Sequence, residues 1–372
     1  MGAFSHQMCS RGPIRQNGPI TPHDPEGGGM NASSVTSGTS DLAGSPMRGA
    51  RLVEVGRMEC QETAVVAPGP GDVIVRSAYA SICGSDLHTV KHGVDVPPTP
   101  CPHGFPGHEG IGTVVESHGS ELAPGTTVLT VPNSAVGTCF NEYQTLPASY
   151  CLALPDDAPD RMREYLMAQQ LGTVIWALRK NPVDVVGRTV VVQGQGSAGL
   201  FFTYLLRRAG AATIITSDLS ETRLEVSRSY GADEAVRADS GDLSQVVADL
   251  TGGRGADHVV EAVGRRETLL AAPSLARVGG TMLWFGLPDS EQPVPFDYRN
   301  FFRRKLTGWS TYGAQDEPGL SSFAAAADLI RRGEIDVNPL LTDMFPVEDI
   351  DEAFSLAHEP QGRATVKVSV EF

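Results

Sequence analysis

Thiol, imidazole and carboxylate side chains are concentrated in two short segments of the chain. The first is Cys83-Gly84-Ser85-Asp86-Leu87-His88, and the second, further along, is Gly107-His108-Glu109. A thiolate together with an imidazole forms a ligand set that suits zinc. A zinc ion with an open position could take up an alcohol oxygen and lower its pKa, which makes hydride loss from the adjacent carbon feasible. The two segments therefore indicate a metal centre with alcohol chemistry.

A glycine-rich turn forms a second candidate site. Gly194-Gln195-Gly196-Ser197-Ala198-Gly199 follows a short apolar run and opens an apolar helix. Gly194 permits a tight turn, Gly196 lets the backbone approach a pyrophosphate, and Gly199 allows the helix and strand to pack closely. Because the pattern stands between a strand and a helix, it predicts a dinucleotide site rather than a plain turn.

An acidic residue, Asp218, stands about 20 residues after the glycine-rich turn, at the end of the next predicted strand. There its carboxylate can accept hydrogen bonds from the adenosine ribose, and it would repel a 2′-phosphate. This favours NAD over NADP, although Arg223 in the following helix could stack on adenine or attract a phosphate. The alternative role of Asp218 is an ordinary helix N-cap.

Composition limits the possible partners. The 372 residues include 29 Lys+Arg and 44 Asp+Glu, a net charge of −15, which argues against a nucleic-acid or anionic-membrane binder. No apolar run approaches the roughly 20 residues of a membrane span, and the N-terminus lacks the hydrophobic region of a secretory signal. The six cysteines are scattered, which fits a reducing cytoplasm. We expect a cytoplasmic protein that acts on a small molecule.

The pattern of the chain divides it into three parts. Residues 1–46 are rich in Gly, Ser and Pro and are interpreted as a disordered extension. Short β-rich runs follow, and a helical spacing covers 162–180. Strands and helices then alternate, which predicts a parallel sheet covered on both faces. We assign 47–180 with 315–372 to a β-rich domain, and 181–314 to a nucleotide-binding domain.

These motifs, in this order, resemble the medium-chain dehydrogenase/reductase superfamily, in its branch of zinc-dependent alcohol and polyol dehydrogenases. The resemblance extends over 47–372. It implies an α/β fold, with a GroES-like β-rich catalytic domain packed against a doubly wound Rossmann domain and the active site in the cleft. The implied reaction is hydride transfer between a small secondary or polyol-like alcohol, or its ketone, and NAD. The resemblance also implies a homodimer or homotetramer.

The resemblance assigns roles to the residues of the two metal-site segments. Cys83 and His108 match the catalytic zinc ligands, and Glu109 matches a residue that lies near the zinc or binds it. Ser85 matches the hydroxyl that hands the substrate proton onward, and His88 matches a histidine that ends the proton relay. Asp86, the remaining member, matches a carboxylate that would orient a ligand and tune the metal.

Roles in cofactor binding follow in the same way. Thr173 matches a contact to the nicotinamide, and Lys367 lies near the position of a basic residue that meets the pyrophosphate, with Arg363 as its rival. The expected cofactor-binding residues are then Thr173, Gly194, Gly196, Ser197, Ala198, Gly199, Asp218, Arg223 and Lys367.

Two features depart from the family pattern. Its third zinc ligand corresponds to Gln169, whose neutral amide binds zinc poorly, so either Glu109 coordinates, or zinc is weakly bound, or the site is metal-free. Cys101 and His103 could replace Gln169 as the third zinc ligand, although they are more simply interpreted as part of a Pro-rich loop. A four-cysteine lobe is also missing, since only Cys139 is available in its place. We therefore predict one catalytic zinc and no structural zinc.

The sequence leaves two other functions open. The first is a zinc-free reductase of the quinone or enone type, which the neutral Gln169 favours. The four residues Cys83, Asp86, His108 and Glu109 speak against it, because a metal-free site has no reason to hold them together. The second is a non-catalytic module that binds NAD(H).

Overall fold

The computed structural model describes residues 40–98, 100–133, 137–359 and 364–372. Its strands are β1 (Pro46–Glu54), β2 (Arg57–Ala64), β3 (Asp72–Ser81), β4 (Gly110–Ser117), β5 (Thr127–Thr130), β6 (Tyr143–Pro147), β7 (Cys151–Ala153), β8 (Thr189–Gln193), β9 (Thr213–Asp218), β10 (Glu234–Arg237), β11 (Ala256–Glu261), β12 (Ala276–Trp284), β13 (Thr307–Ser310), β14 (Leu341–Pro346) and β15 (Lys367–Glu371).

The helices are α1 (Gly84–His92), α2 (Met162–Leu166), α3 (Ala168–Lys180), α4 (Ser197–Arg208), α5 (Glu221–Ser229), α6 (Leu243–Thr251), α7 (Arg266–Leu275), α8 (Tyr298–Arg303), α9 (Ser321–Arg331) and α10 (Ile350–His358). Within the described ranges, no helix has both the length and the hydrophobicity needed to cross a membrane.

A six-stranded parallel sheet forms the nucleotide-binding part, in the order β10-β9-β8-β11-β12-β13. Its central strand β8 carries Val190, Val191 and Val192, which are all fully buried, as expected for a parallel sheet with helices on both faces. The strand order reverses between β8 and β11. Ligands of such sheets bind at the carboxyl ends of the strands beside this switch point. The predicted doubly wound fold is confirmed.

A second, largely antiparallel sheet contains strands from both ends of the chain. Its order is β14-β15-β3-β4-β5-β7, and β6 pairs with β3. The last strand, β15, runs antiparallel to β3 with Ser369 opposite Ser81. The C-terminal strands therefore belong to the β-rich part, which confirms its predicted architecture. The residue boundaries 47–180, 181–314 and 315–372 stay predictions.

The helical stretch at 162–180 is divided into α2 and α3, with Met167 between them. Helix α3 packs closely on α9, because a Cβ added to Gly172 would lie 2.4 Å from Cδ1 of Phe323. A larger side chain at 172 would push these helices apart. This contact fixes the helix that carries Gln169, Gln170 and Thr173.

The start of the folded region is earlier than predicted. Ser40 Oγ donates to Glu116 Oε2 at 2.6 Å, and Leu42 N donates to Glu116 Oε1 at 2.9 Å. Gly44 N also donates to Val65 O at 2.9 Å. The prediction of disorder is therefore wrong for residues 40–46, while residues 1–39 lie outside the described ranges.

A buried histidine lies in the centre of the parallel sheet. His258 on β11 is 2% exposed, and its Nδ1 lies 2.9 Å from Thr281 Oγ1. Burial lowers its pKa from 6.5 to about 4, so the folded protein keeps the imidazole neutral where the unfolded chain takes up a proton. The resulting stability is present above pH 6.5 and is lost as the pH falls from 6.5 toward 4.

We therefore predict that His258 makes the fold sensitive to mild acid. Between pH 7 and pH 5 the free energy of unfolding should fall by about 2 kcal/mol on account of this residue. Urea denaturation of the wild type and of His258→Gln at both pH values measures the difference, because glutamine can keep a hydrogen bond but does not titrate. The same pH dependence in both proteins would contradict the prediction.

Candidate active site

A cavity of about 630 Å³ lies at the carboxyl ends of the parallel strands. Side chains of the β-rich part form one wall and the glycine-rich turn forms another. The sequence-predicted site residues that line it are Cys83, Ser85, Asp86, His88, His108, Gln169, Thr173, Gly196, Ser197 and Ala198. The two candidate sites of the sequence therefore share one cavity.

Three potential metal ligands form a cluster, and two of them, Cys83 and His108, line this cavity. One ligand atom each of Cys83, His108 and Glu109 lies within 4.8 Å of the other two. Cys83 is the N-cap of α1, and the other two residues directly precede β4. A sulfur, an imidazole nitrogen and a carboxylate oxygen at this spacing match the donors that zinc prefers.

Asp86 holds two of these ligands in position. Its Oδ2 accepts from the backbone N of Cys83 at 2.8 Å, and its Oδ1 lies 3.0 Å from His108 Nδ1. The same Nδ1 lies 3.2 Å from Pro106 O, so Nε2 is the ring nitrogen left for a metal. Burial lowers the pKa of His108, but the carboxylate of Asp86 outweighs it, and the pKa lies well above its ordinary value.

Glu109 forms a buried ion pair with Lys367. Lys367 Nζ lies 2.6 Å from Glu109 Oε2, and Ser81 Oγ donates to the same oxygen. Lys367 is 4% exposed and Glu109 is 1% exposed. Burial raises the pKa of Glu109, but the positive charges of Lys367 and His108 outweigh it and bring that pKa below its ordinary value. Glu109 is therefore an anion at neutral pH.

This ion pair gives Lys367 a partner that the sequence did not predict. The ammonium group contacts Glu109 beside the metal-ligand candidates, and its contact with the pyrophosphate stays a prediction. The physical reason for the ion pair is that a buried ammonium group needs a carboxylate partner. The rival of Lys367, Arg363, lies outside the described residues.

The site fits a cation. Glu109 Oε1 and Gln169 Oε1 are buried oxygens without a hydrogen-bond partner, and such atoms are costly unless they bind something. Gln169 Nε2 lies 3.5 Å from His108 O, which fixes that amide beside the ligand cluster. The donor chemistry and the unsatisfied oxygens agree with a bound zinc ion.

The suggested substitute ligands lie elsewhere. In the described part of the chain, the metal-binding cluster consists of Cys83, His108 and Glu109 alone. Cys101 O accepts from Arg51 Nε at 3.0 Å. Burial, with help from the charge of Arg51, lowers the pKa of His103. Cys101 and His103 therefore lie near Arg51, outside the metal-ligand cluster.

Two polar side chains of α1 line the cavity one helical turn apart. Ser85 Oγ lies 3.5 Å from His108 Nε2, and His88 follows at the i+3 position. Burial lowers the pKa of His88 by more than a backbone carbonyl at Pro288 and the nearby Asp289 carboxylate raise it. The imidazole is thus neutral at physiological pH and can take up a proton.

The glycine-rich turn is closely packed on one side and open on the other. A Cβ at Gly194, where φ is +86°, would lie 2.7 Å from Val263 Cγ2, and one at Gly199 would lie 1.8 Å from Gly194 O. At Gly196 a Cβ would meet nothing within 4 Å. Because Gly196 is the N-cap of α4 and has no capping side chain, the first N–H groups of that helix are open to an anion.

Asp218 and Arg223 organise the region beside this turn. The two carboxylate oxygens of Asp218 accept from the backbone N of Gln195 at 2.7 Å and of Ser220 at 2.8 Å. Arg223 Nε donates to Thr365 O at 3.1 Å, which ties its guanidinium to the C-terminal segment. Asp218 still has lone pairs for a ribose hydroxyl.

Two residues of the site were not predicted from the sequence. Ser81 binds Glu109, and Gln170 lies between Cys83 and Ser197. No motif includes Ser81, which only the pairing of β3 and β15 brings close to Lys367. One signal could have identified Gln170. It directly follows Gln169, the residue that departs from the family pattern, on a helix that lines the cavity.

Comparison with known families agrees with this site. The family model described as "Alcohol dehydrogenase GroES-like domain" matches residues 69–156, and the model described as "Zinc-binding dehydrogenase" matches residues 198–326. The first contains the metal-ligand candidates and the second contains most of the parallel sheet.

Similar proteins cover most of the chain. An alcohol dehydrogenase of Cupriavidus necator is 27% identical over 357 residues, which span 83% of this chain and 94% of that protein. A sorbitol dehydrogenase of Gallus gallus is 27% identical over 341 residues, with 82% and 92% covered. A crystal structure of a candidate zinc-binding dehydrogenase from Sinorhizobium meliloti 1021, bound to NADP, gives a TM-score of 0.74 at 25% identity and covers 88% of this chain and 100% of that chain.

We predict that the buried ion pair is a strong determinant of stability in metal-free protein. Lys367→Met leaves the Glu109 carboxylate buried without its partner and should lower the free energy of unfolding by about 3–5 kcal/mol. Urea denaturation after chelator treatment measures the loss. Adding Glu109→Gln to Lys367→Met removes the unpaired charge and should recover part of it.

Arg228→Met is the matched control for this prediction. Its ion pair with Glu221 is about half exposed on both sides, so its removal should change stability little. Equal losses for Lys367→Met and Arg228→Met would show that the buried pair has no special weight.

Proposed function

The chain belongs to the medium-chain dehydrogenase/reductase superfamily, in the branch of zinc-dependent alcohol and polyol dehydrogenases, and from that premise we propose a reaction for this site. It transfers a hydride between a small secondary or polyol-like alcohol and NAD. The observation that carries the proposal is that Cys83 and His108, which form a cluster with Glu109, line the same cavity as the glycine-rich turn.

Zinc is proposed to bind to Cys83, His108 and Glu109, at one catalytic site per chain and without a structural site. A zinc ion held there would supply the Lewis-acid charge that makes an alcohol easier to deprotonate. The unpartnered Oε1 of Glu109 supports this carboxylate as the third ligand. Gln169, as a neutral amide beside His108, is assigned a polar contact rather than a strong metal bond.

The residues around the ligands orient them and move the proton. Asp86 fixes the ring of His108 and the backbone of Cys83, so it is a positioning residue. Ser85, next to His108 Nε2, is placed to receive the substrate hydroxyl proton. His88, one turn further along the same helix face, is proposed to pass that proton to solvent.

The dinucleotide is proposed to be NAD. The open N-terminus of α4 can hold the pyrophosphate, and Thr173 in the shared cavity can contact the nicotinamide end. Asp218 supports NAD over NADP, since its charge opposes a 2′-phosphate. The similar structure from Sinorhizobium meliloti was solved with NADP, which makes this preference a direct question for experiment.

The substrate is proposed to be a small hydroxylated compound, in line with the alcohol and sorbitol dehydrogenases to which the chain is similar. We also propose a homodimer or homotetramer. Large apolar side chains at Val278, Phe296, Tyr298 and Phe302 are more than half exposed in the nucleotide-binding part, and an exposed apolar surface of this kind favours association.

A cytoplasmic location is proposed on the basis of the thiols. The five described cysteines are free, and Cys83 must stay reduced to bind a metal. A reducing compartment meets this requirement.

The metal site is tested by removing its soft ligand. Cys83→Ser should lower zinc affinity at least about 10-fold and lower the rate of NAD-linked alcohol oxidation by about 100-fold or more, because the charge of the metal is worth several kcal/mol in such reactions. Elemental analysis and stopped-flow measurement of NADH formation give the two results. Cys60→Ser, at a half-buried cysteine of β2, is the control and should change neither.

Other results of these measurements would favour a different function or a different third zinc ligand. Full activity of Cys83→Ser without zinc would contradict the metal site and favour a zinc-free quinone or enone reductase. NADH binding without hydride transfer over a panel of alcohols and ketones would favour a non-catalytic module. Loss of zinc in Glu109→Gln but not in Gln169→Leu would identify Glu109 as the third ligand, and the reverse would identify Gln169.

The cofactor preference is tested at Asp218. Asp218→Asn removes the charge and keeps an oxygen acceptor, so the ratio of kcat/KM for NADP to that for NAD should rise about 10-fold, which corresponds to about 1.4 kcal/mol. Asp239→Asn, an exposed acidic residue paired with Arg237, controls for the overall loss of negative charge. An unchanged ratio in Asp218→Asn would contradict the proposed role.

A further inference from the structure

One buried amide connects the metal-ligand cluster with the glycine-rich turn. Gln170 on α3 is 6% exposed. Its Oε1 lies 3.7 Å from Cys83 Sγ and 3.3 Å from Ser197 Oγ, and in both contacts the partner is the donor. A single oxygen therefore accepts from a proposed zinc ligand and from a residue of the dinucleotide site.

The two partners belong to different parts of the fold. Cys83 caps α1 in the β-rich part, while Ser197 is the first residue of α4 in the nucleotide-binding part. The backbone of α3 is held in place by its packing on α9, so the amide can respond to a change at one partner mainly by turning its terminal group. That torsion is soft and nearly two-fold, and it exchanges the amide oxygen and nitrogen.

Metal binding changes what this amide must do. A cysteine binds a metal as a thiolate, which has no proton to donate. An amide oxygen facing a thiolate gains no hydrogen bond, whereas an amide N–H in the same place donates to the sulfur. Zinc at Cys83 therefore favours the orientation in which Nε2 of Gln170, and not Oε1, faces both partners.

The turned amide also changes the hydrogen bond of Ser197. With Nε2 of Gln170 as the donor, Ser197 Oγ becomes the acceptor and its own proton is free. Ser197 lies at the open N-terminus of α4, where a phosphate oxygen of the dinucleotide is expected. A hydroxyl that can donate binds such an oxygen better than one already donating to Gln170.

We propose that Gln170 is a positioning residue that couples metal binding at Cys83 to dinucleotide binding at Ser197. The inference rests on the proposed function, in which these residues serve the metal and the cofactor. Zinc should tighten NADH binding, and by thermodynamic linkage NADH should tighten zinc binding by the same factor. We expect a factor of about 5 or more, at the lower end of typical couplings between sites.

The experiment measures this coupling factor without relying on turnover. NADH is titrated by fluorescence into chelator-treated protein and into the same protein with one equivalent of zinc, and the ratio of the two Kd values is the factor. In the wild type it should be about 5 or more. In Gln170→Met, which keeps the volume but loses the amide, both ligands should still bind and the factor should fall to about 1.

Two further variants keep the result decisive. Ser197→Ala removes the other end of the connection and should also bring the factor to about 1, so it decides the matter if Gln170→Met does not fold. Gln193→Met is the matched control. It removes a buried glutamine of β8 beside the same turn that has no described contact with Cys83 or Ser197, and it should keep the wild-type factor.

The contrary outcomes are distinct from failure of the proposed function. Equal NADH affinities of the wild type with and without zinc would overturn the coupling while leaving both sites intact. A wild-type factor retained in Gln170→Met would overturn the role of this residue. Absence of zinc binding or of NADH binding in the wild type would overturn the proposed function together with the inference.

Discussion

The ion pair between Glu109 and Lys367 is the interaction on which the arrangement of the active site depends. It connects the segment before β4 with the final strand β15, and Ser81 of β3 supports it from the strand between them. A buried carboxylate and ammonium group must stay together, because either one alone would be strongly destabilising. The ion pair also occupies one oxygen of Glu109 and leaves the other, Oε1, for the metal site. The C-terminal strand therefore takes part in the chemistry of residues near the start of the fold.

The sequence was most informative where the controlling physics is local. The turn Gly194–Gly199 was predicted because part of its glycine pattern reflects a local contact, the close approach of Gly199 to Gly194 O. The parallel sheet followed from runs such as Val190–Val192, which must be buried on both sides. The edge strands β10 and β13 had no comparable signal, since they are short and carry one buried residue between them. Their pairing depends on neighbouring strands that no local pattern identifies.

The residues of the active site also divide into those that a local sequence pattern predicts and those that depend on distant contacts. The spacing of Cys83 and the segment His108–Glu109 predicted a metal-ligand set, because each segment is short and chemically distinctive. The ion pair of Lys367 with Glu109 was not predicted, since a resemblance cannot show that a buried carboxylate lies within reach of its ammonium group. Gln170 was overlooked because its contact with Cys83 joins residues 87 positions apart in the chain. Such contacts depend on the tertiary fold, and no residue pattern carries them.

Charge balance gives a physical account of the glutamine at position 169. With zinc bound, the negative charges of Cys83, Asp86 and Glu109 would be matched by the two charges of zinc and the one of Lys367. Without the metal, the raised pKa of His108 supplies a positive charge in its place. A carboxylate at 169 would add a further buried negative charge without a partner, which is costly. The neutral amide of Gln169 is therefore what a site already containing Lys367 and Glu109 requires, and it does not by itself indicate loss of the metal.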